Sequence, residues 1–375
     1  MPIPSPCRSA ANSAFRALIV TLAALFAAAP AAAFDFIVTR YDDPVPDGCL
    51  GADCSLREAV IAANAAIDAD RILLSAGVYA INLVGGGEDL AATGDLDLKK
   101  NLEIVGVGPG ITVLDADGLG ETAIVASQSG GTFLLRQLTV RNSDVHGVQL
   151  GPGTYFIEDC EFRDNGVNGI TTSIGSNVTL RRVSSVNNLS IGLRPQQGST
   201  TVENSTFSGN GGPEIALNLA AAFSCTHCTI FDPTDSGAEA EFLSSTASFS
   251  NSIVAGECSI SGSTLTSLGG NVESVGHTCN FTQGSDQDDV ASGALALGAL
   301  ADNGGPTRTH LPGVASVAVG GANDALCLAD DQRGVARTTD CDSGSVERIG
   351  SAVRTPIFSD GFLQGDSEAW SATVN

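Results

Sequence analysis

Residues 157–165 read IEDCEFRDN, residues 180–188 read LRRVSSVNN, and residues 202–210 read VENSTFSGN. Each stretch begins with an apolar residue, carries small or apolar residues at its fourth and sixth positions, and ends with asparagine. Related copies lie on either side, with steps of 22, 23, 22, 23 and 24 residues between the starting positions Leu135, Ile157, Leu180, Val202, Cys225 and Phe249. A fixed repeat of this period indicates a solenoid, because one copy cannot bury its apolar face without the next.

The residues within each copy indicate which solenoid the repeat builds. Apolar positions two residues apart, with β-branched side chains and intervening Gly or Asn, indicate short strands joined by tight turns. Leucine-rich repeats share the period but need a run of leucines that this chain lacks. About 22 residues supply three short strands and three turns, and strands stacked rung on rung lie ~4.8 Å apart. We therefore predict an all-β fold, a right-handed parallel β-helix with 22–24-residue rungs, taking its hand from parallel crossover connections.

Three asparagines occupy one position of successive rungs, Asn165, Asn188 and Asn210. Asparagine tolerates left-handed turn geometry, and stacked asparagine amides can bond to one another. We predict a structural asparagine ladder along the coil.

The first 33 residues have the pattern of a signal peptide. Arg8 and Arg16 precede an apolar segment at residues 17–29, and three alanines follow at residues 31–33. A membrane anchor is the alternative, but the apolar segment is short for a transmembrane span. We expect a secreted or cell-surface protein with no membrane span after the segment is removed.

The charge of the remaining chain limits its partners. Removing the two signal-peptide arginines from 18 basic residues leaves 16 against 42 acidic residues, a net charge near −26. Nucleic acid and anionic lipid both require a basic surface, so neither is expected as a partner. We expect a monomer.

Export permits disulfides among the nine cysteines that remain. Their spacing predicts three local pairs, Cys49–Cys54, Cys258–Cys279 and Cys327–Cys341. The others, Cys160, Cys225 and Cys228, fall in apolar columns of the repeat and are predicted to be buried free thiols. A metal site formed by Cys225, Cys228 and His227 is the alternative, although no second ligand pair lies nearby in the sequence.

The two ends of the repeat carry other signals. Residues 34–40 form a strand pattern, and Ser55 with Glu58 makes a capping box that starts an amphipathic helix. A helix at this place would cover the open edge of the solenoid. Strands are then predicted within residues 71–83, 102–105 and 111–114.

Several of these stretches resemble a known family. Residues 54–60, CSLREAV, resemble the CSLREA segment of bacterial exported β-helix proteins. Residues 302–312, 331–335 and 341–347 (DNGGPTRTHLP, DQRGV and CDSGSVE) resemble the choice-of-anchor Q domain. The resemblance spans most of residues 49–347 and implies a fold with pectin-lyase-like repeats and an exported location, without implying a reaction. The predicted parts are a signal peptide (1–33), an N-terminal strand and capping helix (34–70), a β-helix (71–270), a choice-of-anchor Q-like appended C-terminal region (271–350) and a tail (351–375).

Pectin-lyase-like folds include polysaccharide lyases and hydrolases, so one outward face of the coil is a candidate active site. Asp159 and Glu161 are candidate Ca²⁺ ligands, and Arg182 is a candidate base for a lyase acting on acidic sugars. Asp159 and Glu161 are also a candidate carboxylate pair for a hydrolase. None of the three is assigned as catalytic, and no cofactor is expected apart from Ca²⁺ in the lyase alternative.

The interpretation of the outward charges as structural ion pairs has more support than their interpretation as an active site. Arg136, Glu158, Arg181 and Glu203 alternate in sign on consecutive rungs, and opposite charges across neighbouring strands contribute ~0.2–1 kcal/mol per pair. Aromatic sugar platforms are scarce, with one Trp and three Tyr. We therefore predict an exported, non-catalytic β-helix that presents its surface to a glycan or a cell-surface component. The alternative is a polysaccharide lyase or glycoside hydrolase of the pectin-lyase-like type.

Overall fold

The computed structural model describes residues 34–66, 70–127, 131–233 and 237–348. The predicted signal peptide and C-terminal tail lie outside the described residues. The chain folds as a right-handed parallel β-helix, as predicted. None of the helices in the described ranges has the length and apolarity needed to cross a membrane.

The coil has three faces, and every strand pairing within it is parallel between the described residues. Face A contains Asp35–Ile37, Asp70–Leu73, Leu102–Val105, the first parts of Thr132–Arg141 and Gly153–Arg163, Ser176–Arg181, Gly198–Glu203, Ala222–Thr226, Thr246–Ser250 and Thr264–Ser267. Face B contains Gly77–Ala80, Thr112–Asp115, the last parts of the same two long strands, Ser184–Val186, Thr206–Ser208, Thr229–Phe231, Ile253–Ala255, Val272–Ser274 and Gln287–Val290. Face C contains Leu96–Leu98, Ile124–Ala126, Val148–Leu150, Ile170–Thr172, Leu193–Arg194, Ile215–Leu217, Ala238–Leu243 and Glu257–Ser261.

The inward columns match the repeat. The first position of each rung is fully buried and pairs with the same position of the next rung, in the order Leu135, Ile157, Leu180, Val202, Cys225 and Phe249. Phe162 and Phe207 share the sixth position and are also fully buried. These side chains belong to one continuous apolar core that extends from the N-terminal helix to Phe281. The register of the rungs predicted from the repeat is confirmed.

The N-terminal helix α1 spans Leu56–Ala65 and covers the first rung of the coil. Both hydrogen bonds of the predicted capping box are present between Ser55 and Glu58. Arg57 is buried, and its guanidinium bonds to Asp43 at 2.7 Å and to the carbonyl oxygen of Gly94 at 2.7 Å. The helix therefore closes the apolar end of the coil and satisfies its own buried charge.

The asparagine ladder is present in the core beside face B. The Asn165 amide donates to Asn188 Oδ1 at 2.8 Å, and the Asn188 amide donates to Asn210 Oδ1 at 2.8 Å. The ladder ends on Glu214, whose carboxylate accepts the Asn210 backbone N–H at 3.0 Å. Burial raises the pKa of Glu214 to about 8.

The cysteines follow the prediction with one correction. The pairs Cys49–Cys54, Cys258–Cys279 and Cys327–Cys341 are disulfides, and Cys160 is a buried free thiol. The prediction that Cys225 and Cys228 are free thiols is wrong, because they form a fourth disulfide. Both side chains point into the core from one corner of a rung, and their Cα atoms lie 6.0 Å apart, within the range that a disulfide spans. The pair is therefore unavailable as metal ligands in this state.

The C-terminal region lies against the coil. Residues up to Val290 still pair with face B, and the chain then forms a second helix, Ser292–Leu295, a hairpin of Leu297–Ala301 with Thr309–Pro312, and a 3-10 helix at Asp324–Leu326. This part (292–348, the return segment) runs back over face B. His310 Nε2 lies 2.8 Å from Ser208 Oγ, and Thr206 Oγ1 donates to Gln332 Oε1 at 2.6 Å. The return segment therefore buries the outward side of face B.

Candidate functional site

The corner between faces A and B is built by one column of residues in the left-handed conformation. The third position of each rung has φ between +46° and +57°, in the order Gln137, Asp159, Arg182, Asn204, His227 and Asn251. Asn, Asp and His are enriched in this conformation, whereas Gln and Arg adopt it less often. Two of the three catalytic candidates predicted from the sequence, Asp159 and Arg182, lie in this corner column.

The return segment covers the second half of the corner column. The Asn204 amide donates to the Asp330 carbonyl oxygen at 2.9 Å, and Arg337 donates to Asn204 Oδ1 at 2.9 Å. His227 and Asn251 are fully buried under the same segment. Only the first half of the column, Gln137 to Arg182, faces open space between the coil and the return segment.

That space is a cleft of about 530 Å³. Its apolar walls are formed by Val107, Pro109 and Ile111 from an early rung, and by Pro306 from the return segment. Its polar side chains are Gln137, Asp159, Arg182, Asp330 and Arg333.

The charged side chains that line the cleft all have ionic partners, and Arg333 pairs with Asp331 outside it at 2.8 Å. Arg182 donates to both carboxylate oxygens of Asp159, at 2.6 and 2.9 Å, and its guanidinium lies 4.0 Å from Asp330. The hydrogen bonds that Arg182 donates to Asp159 raise the pKa of its guanidinium above its ordinary value. A base must be able to lose its proton near the working pH. Arg182 therefore remains a cation, which suits binding and charge neutralisation better than proton abstraction.

Glu161 lies outside the cleft. It sits on face B beneath the return segment, where Arg308 Nε donates to Glu161 Oε1 at 2.6 Å and Arg163 Nε lies 3.4 Å from Oε2. The Glu161 side chain is 7% exposed. Asp159 and Arg182 therefore lie together in the cleft, whereas Glu161 lies on face B and is buried. Within the described part of the chain, the cleft carboxylates do not converge as a set of three metal ligands.

The predicted charged ladder runs along face A. The register aligns Arg136 with Glu158, Glu158 with Arg181, and Arg181 with Glu203. Arg136 lies 3.5 Å from Glu158, and Arg181 lies 3.9 Å from Glu203. The ladder has an extra member that the repeat did not reveal, Glu103, 3.5 Å from Arg136.

Beside the charged ladder, face A carries two uncharged columns in which most residues have a hydroxyl group. The register stacks Thr179, Thr201, Ser224, Ser248 and Thr266 in one outward column. A parallel column contains Thr154, Asn177, Ser199, Ala222, Thr246 and Thr264. Ser199 Oγ donates to Asn177 Oδ1 at 2.8 Å, and Ser224 Oγ donates to Thr201 Oγ1 at 3.3 Å. These columns were not predicted, because their residues do not titrate, although their hydroxyl residues recur at equivalent positions of the repeat.

A family of known proteins matches part of the chain and agrees with the architecture. A family described as "Right handed beta helix region" matches residues 122–279. Among solved structures, pectate lyase Pel9A is 12% identical, with a TM-score of 0.45 over 85% of this chain and 97% of that one. The A-module of the Azotobacter vinelandii mannuronan C-5 epimerase AlgE4 is 16% identical, with a TM-score of 0.27 over 62% and 90%. No curated protein matches the chain. At these values the likenesses transfer no activity to this chain, and the match to the right-handed β-helix region agrees with the fold.

Proposed function

We propose that this chain is an exported, non-catalytic β-helix protein that binds an extended neutral glycan along face A. The signal-peptide pattern and four disulfides support export, since disulfides persist in oxidising compartments. The motifs at residues 54–60 and 302–347 support a protein of the CSLREA and choice-of-anchor Q type.

The observation that carries the proposal is the contrast between the two large faces. The return segment buries the outward side chains of face B, including Ser184, Thr206 and Thr229. The corresponding residues at the centre of face A, such as Thr201 and Ser199, are exposed. Face A therefore offers the longer accessible surface for a polymer.

The chemistry of face A suits a polymer that carries hydroxyl groups. Side chains repeat at ~4.8 Å from rung to rung and at ~6.6 Å between alternate residues of one strand. Each hydroxyl both donates and accepts hydrogen bonds, so the columns form a regular lattice of donors and acceptors. A glycan chain lying along the coil axis would meet a hydroxyl group on each rung from Thr179 to Thr266.

Electrostatics favour a neutral glycan. The Arg and Glu side chains of face A are paired with one another, and the chain as a whole has a net charge of −24. An acidic polysaccharide would be repelled by this excess of negative charge. A neutral chain would avoid that cost.

The lyase or hydrolase alternative has weaker support. It draws on the cleft that holds Asp159 and Arg182, but Arg182 is a paired cation and Glu161 is buried beneath Arg308. The two carboxylates that do line the cleft, Asp159 and Asp330, both lie against the Arg182 guanidinium. Asp330 also lies 3.5 Å from Arg181, so each carboxylate has a cationic partner and neither is placed as a free base.

Co-sedimentation of the mature protein with insoluble neutral glycans tests the proposal. The variant Thr201→Glu places a charge at the centre of face A, and Gln149→Glu places the same charge on face C as a matched control. We expect Thr201→Glu to lose binding at least tenfold while Gln149→Glu binds like the parent. Absence of binding to every neutral glycan, or equal binding by both variants, would contradict the proposal.

A product assay distinguishes the lyase or hydrolase alternative from glycan binding without catalysis. Reducing-sugar and unsaturated-product measurements are made on neutral and acidic polysaccharides, with and without Ca²⁺. We expect no turnover. Turnover that disappears in a stably folded Arg182→Ala variant would replace the binding role with an enzymatic one.

A further inference from the structure

His227 lies at the corner of the coil, in contact with the return segment. Among the described residues, His227, Cys327 and Cys341 each offer a ligand atom, and these atoms all lie within 4.8 Å of one another. Cys327 and Cys341 are joined as a disulfide in this state. The cluster brings together residues up to 114 positions apart in the chain, from two separate parts of the fold.

Two hydrogen-bond partners of His227 fix the tautomer of its imidazole. Nδ1 lies 3.3 Å from the Gly344 carbonyl oxygen, and Nε2 lies 3.1 Å from the Asn251 amide nitrogen. The carbonyl can only accept and the amide can only donate, so Nδ1 carries the proton and Nε2 carries the lone pair. A neutral imidazole whose other nitrogen bonds to a carbonyl has the form of a metal ligand.

A carboxylate lies beside the two cysteines, outside the group of three mutually close ligand atoms. Asp324 Oδ1 lies 4.0 Å from the Cys327 sulfur and accepts the Cys341 backbone N–H at 3.4 Å. Two thiolates, one imidazole and one carboxylate or water make a four-coordinate donor set of the type that Zn²⁺ occupies. The other cysteine pair, Cys225 and Cys228, points into the apolar core and does not contribute to the cluster.

We propose that His227, Cys327 and Cys341 bind one Zn²⁺ ion when a dithiol reductant opens the Cys327–Cys341 disulfide. Reduction adds two electrons and two protons to the disulfide and yields two thiols, while the dithiol is oxidised to its own disulfide. Zn²⁺ then displaces the two thiol protons and takes the Nε2 lone pair in exchange for the Asn251 hydrogen bond.

The oxidised form and the reduced, Zn²⁺-bound form would cross-link different parts of the chain. The disulfide links two positions within the return segment, 14 residues apart. Bound Zn²⁺ would add a link from these positions to His227, and so to the coil itself. The same side chains would therefore fasten the return segment to the corner of the coil when the disulfide is open.

Metal titration of the reduced mature protein tests this site. The protein is reduced with a dithiol, freed of reductant without oxygen, and titrated with Zn²⁺, with Co²⁺ as a spectroscopic probe of thiolate ligands. Circular dichroism verifies the β-sheet signal of each sample. The variant Cys225→Ala/Cys228→Ala leaves the proposed thiols as the reducible pair nearest His227, and His227→Asn removes the imidazole.

We expect one Zn²⁺ per reduced chain, a Co²⁺–thiolate absorption band, and no such binding by the oxidised protein. The Cys225→Ala/Cys228→Ala variant should keep the site, whereas His227→Asn should weaken binding at least tenfold while remaining folded. Binding that is unaffected by His227→Asn, binding lost with Cys225 and Cys228, equal uptake by oxidised protein, or loss of the β-sheet signal on reduction would each overturn the proposal.

Discussion

Truncation of the central ladder asparagine, Asn188→Ala, should strongly destabilise the coil. Asn188 Oδ1 accepts from the Asn165 amide at 2.8 Å and from the Asn165 backbone N–H at 3.2 Å. Its own amide donates to Asn210 Oδ1 at 2.8 Å and to the Phe162 carbonyl oxygen at 3.3 Å. Asn210 Oδ1 keeps a donor in the variant, because the Asn188 backbone N–H also bonds to it at 2.9 Å.

The magnitude follows from the groups left unpaired. The two Asn165 donors lose their acceptor in a region where Asn165 is 1% exposed. Each buried polar group without a partner costs ~1–3 kcal/mol, so the free energy of unfolding should fall by about 2–6 kcal/mol. A water that enters the vacated space would bring the loss toward the lower value.

Urea unfolding followed by far-ultraviolet circular dichroism measures this loss. Asn177→Ala is the matched control, since Asn177 lies on the same rung but is exposed on face A, with one side-chain bond from Ser199. The control should change the free energy of unfolding by less than about 0.5 kcal/mol. An Asn188→Ala loss as small as that of the control would refute the view that the ladder stabilises the coil.

Three further predictions concern the core, the charged ladder and the end of the asparagine ladder. Phe162→Ala should lower the free energy of unfolding by ~3–5 kcal/mol, measured by urea unfolding, because the ring is fully buried; a loss under about 1 kcal/mol would contradict its place in the core. Arg181→Ala should lower the free energy of unfolding by ~1 kcal/mol or less, because it leaves Glu158 and Glu203 two rungs apart in partly screened repulsion. The loss should be smaller in high salt. A loss that does not depend on salt would argue against the ladder. Since the folded pKa of Glu214 is about 8, above the ~4.3 of an unfolded chain, folding favours its protonated form and the stability that it contributes falls as pH rises from about 4.3 to 8. Glu214→Gln should therefore show a smaller fall in Tm across this window than the parent, and equal slopes would contradict the assignment.

The local signals of the repeat are sufficient to predict much of the coil. The period of the apolar positions follows from the number of residues in a rung, so the repeat alone places Leu135, Ile157 and Phe162 in the core. The same spacing places Asn165, Asn188 and Asn210 in one column, because stacking repeats the environment of each position. The alternation of Arg136, Glu158, Arg181 and Glu203 is also visible in the repeat, since neighbouring strands bring equivalent positions together.

The sequence by itself thus determined the coil, its register, its capping helix and three of its disulfides. The tertiary structure decided what a linear repeat does not encode: which positions of one rung meet across a corner, and what covers each face. The corner brings Cys225 and Cys228 together, and the return segment buries Glu161 under Arg308, 147 residues away. It also places Asp330 beside Arg182 and brings Cys327 and Cys341 to His227. Such contacts depend on how one long segment folds back over the coil, and no periodic pattern in the chain specifies that path.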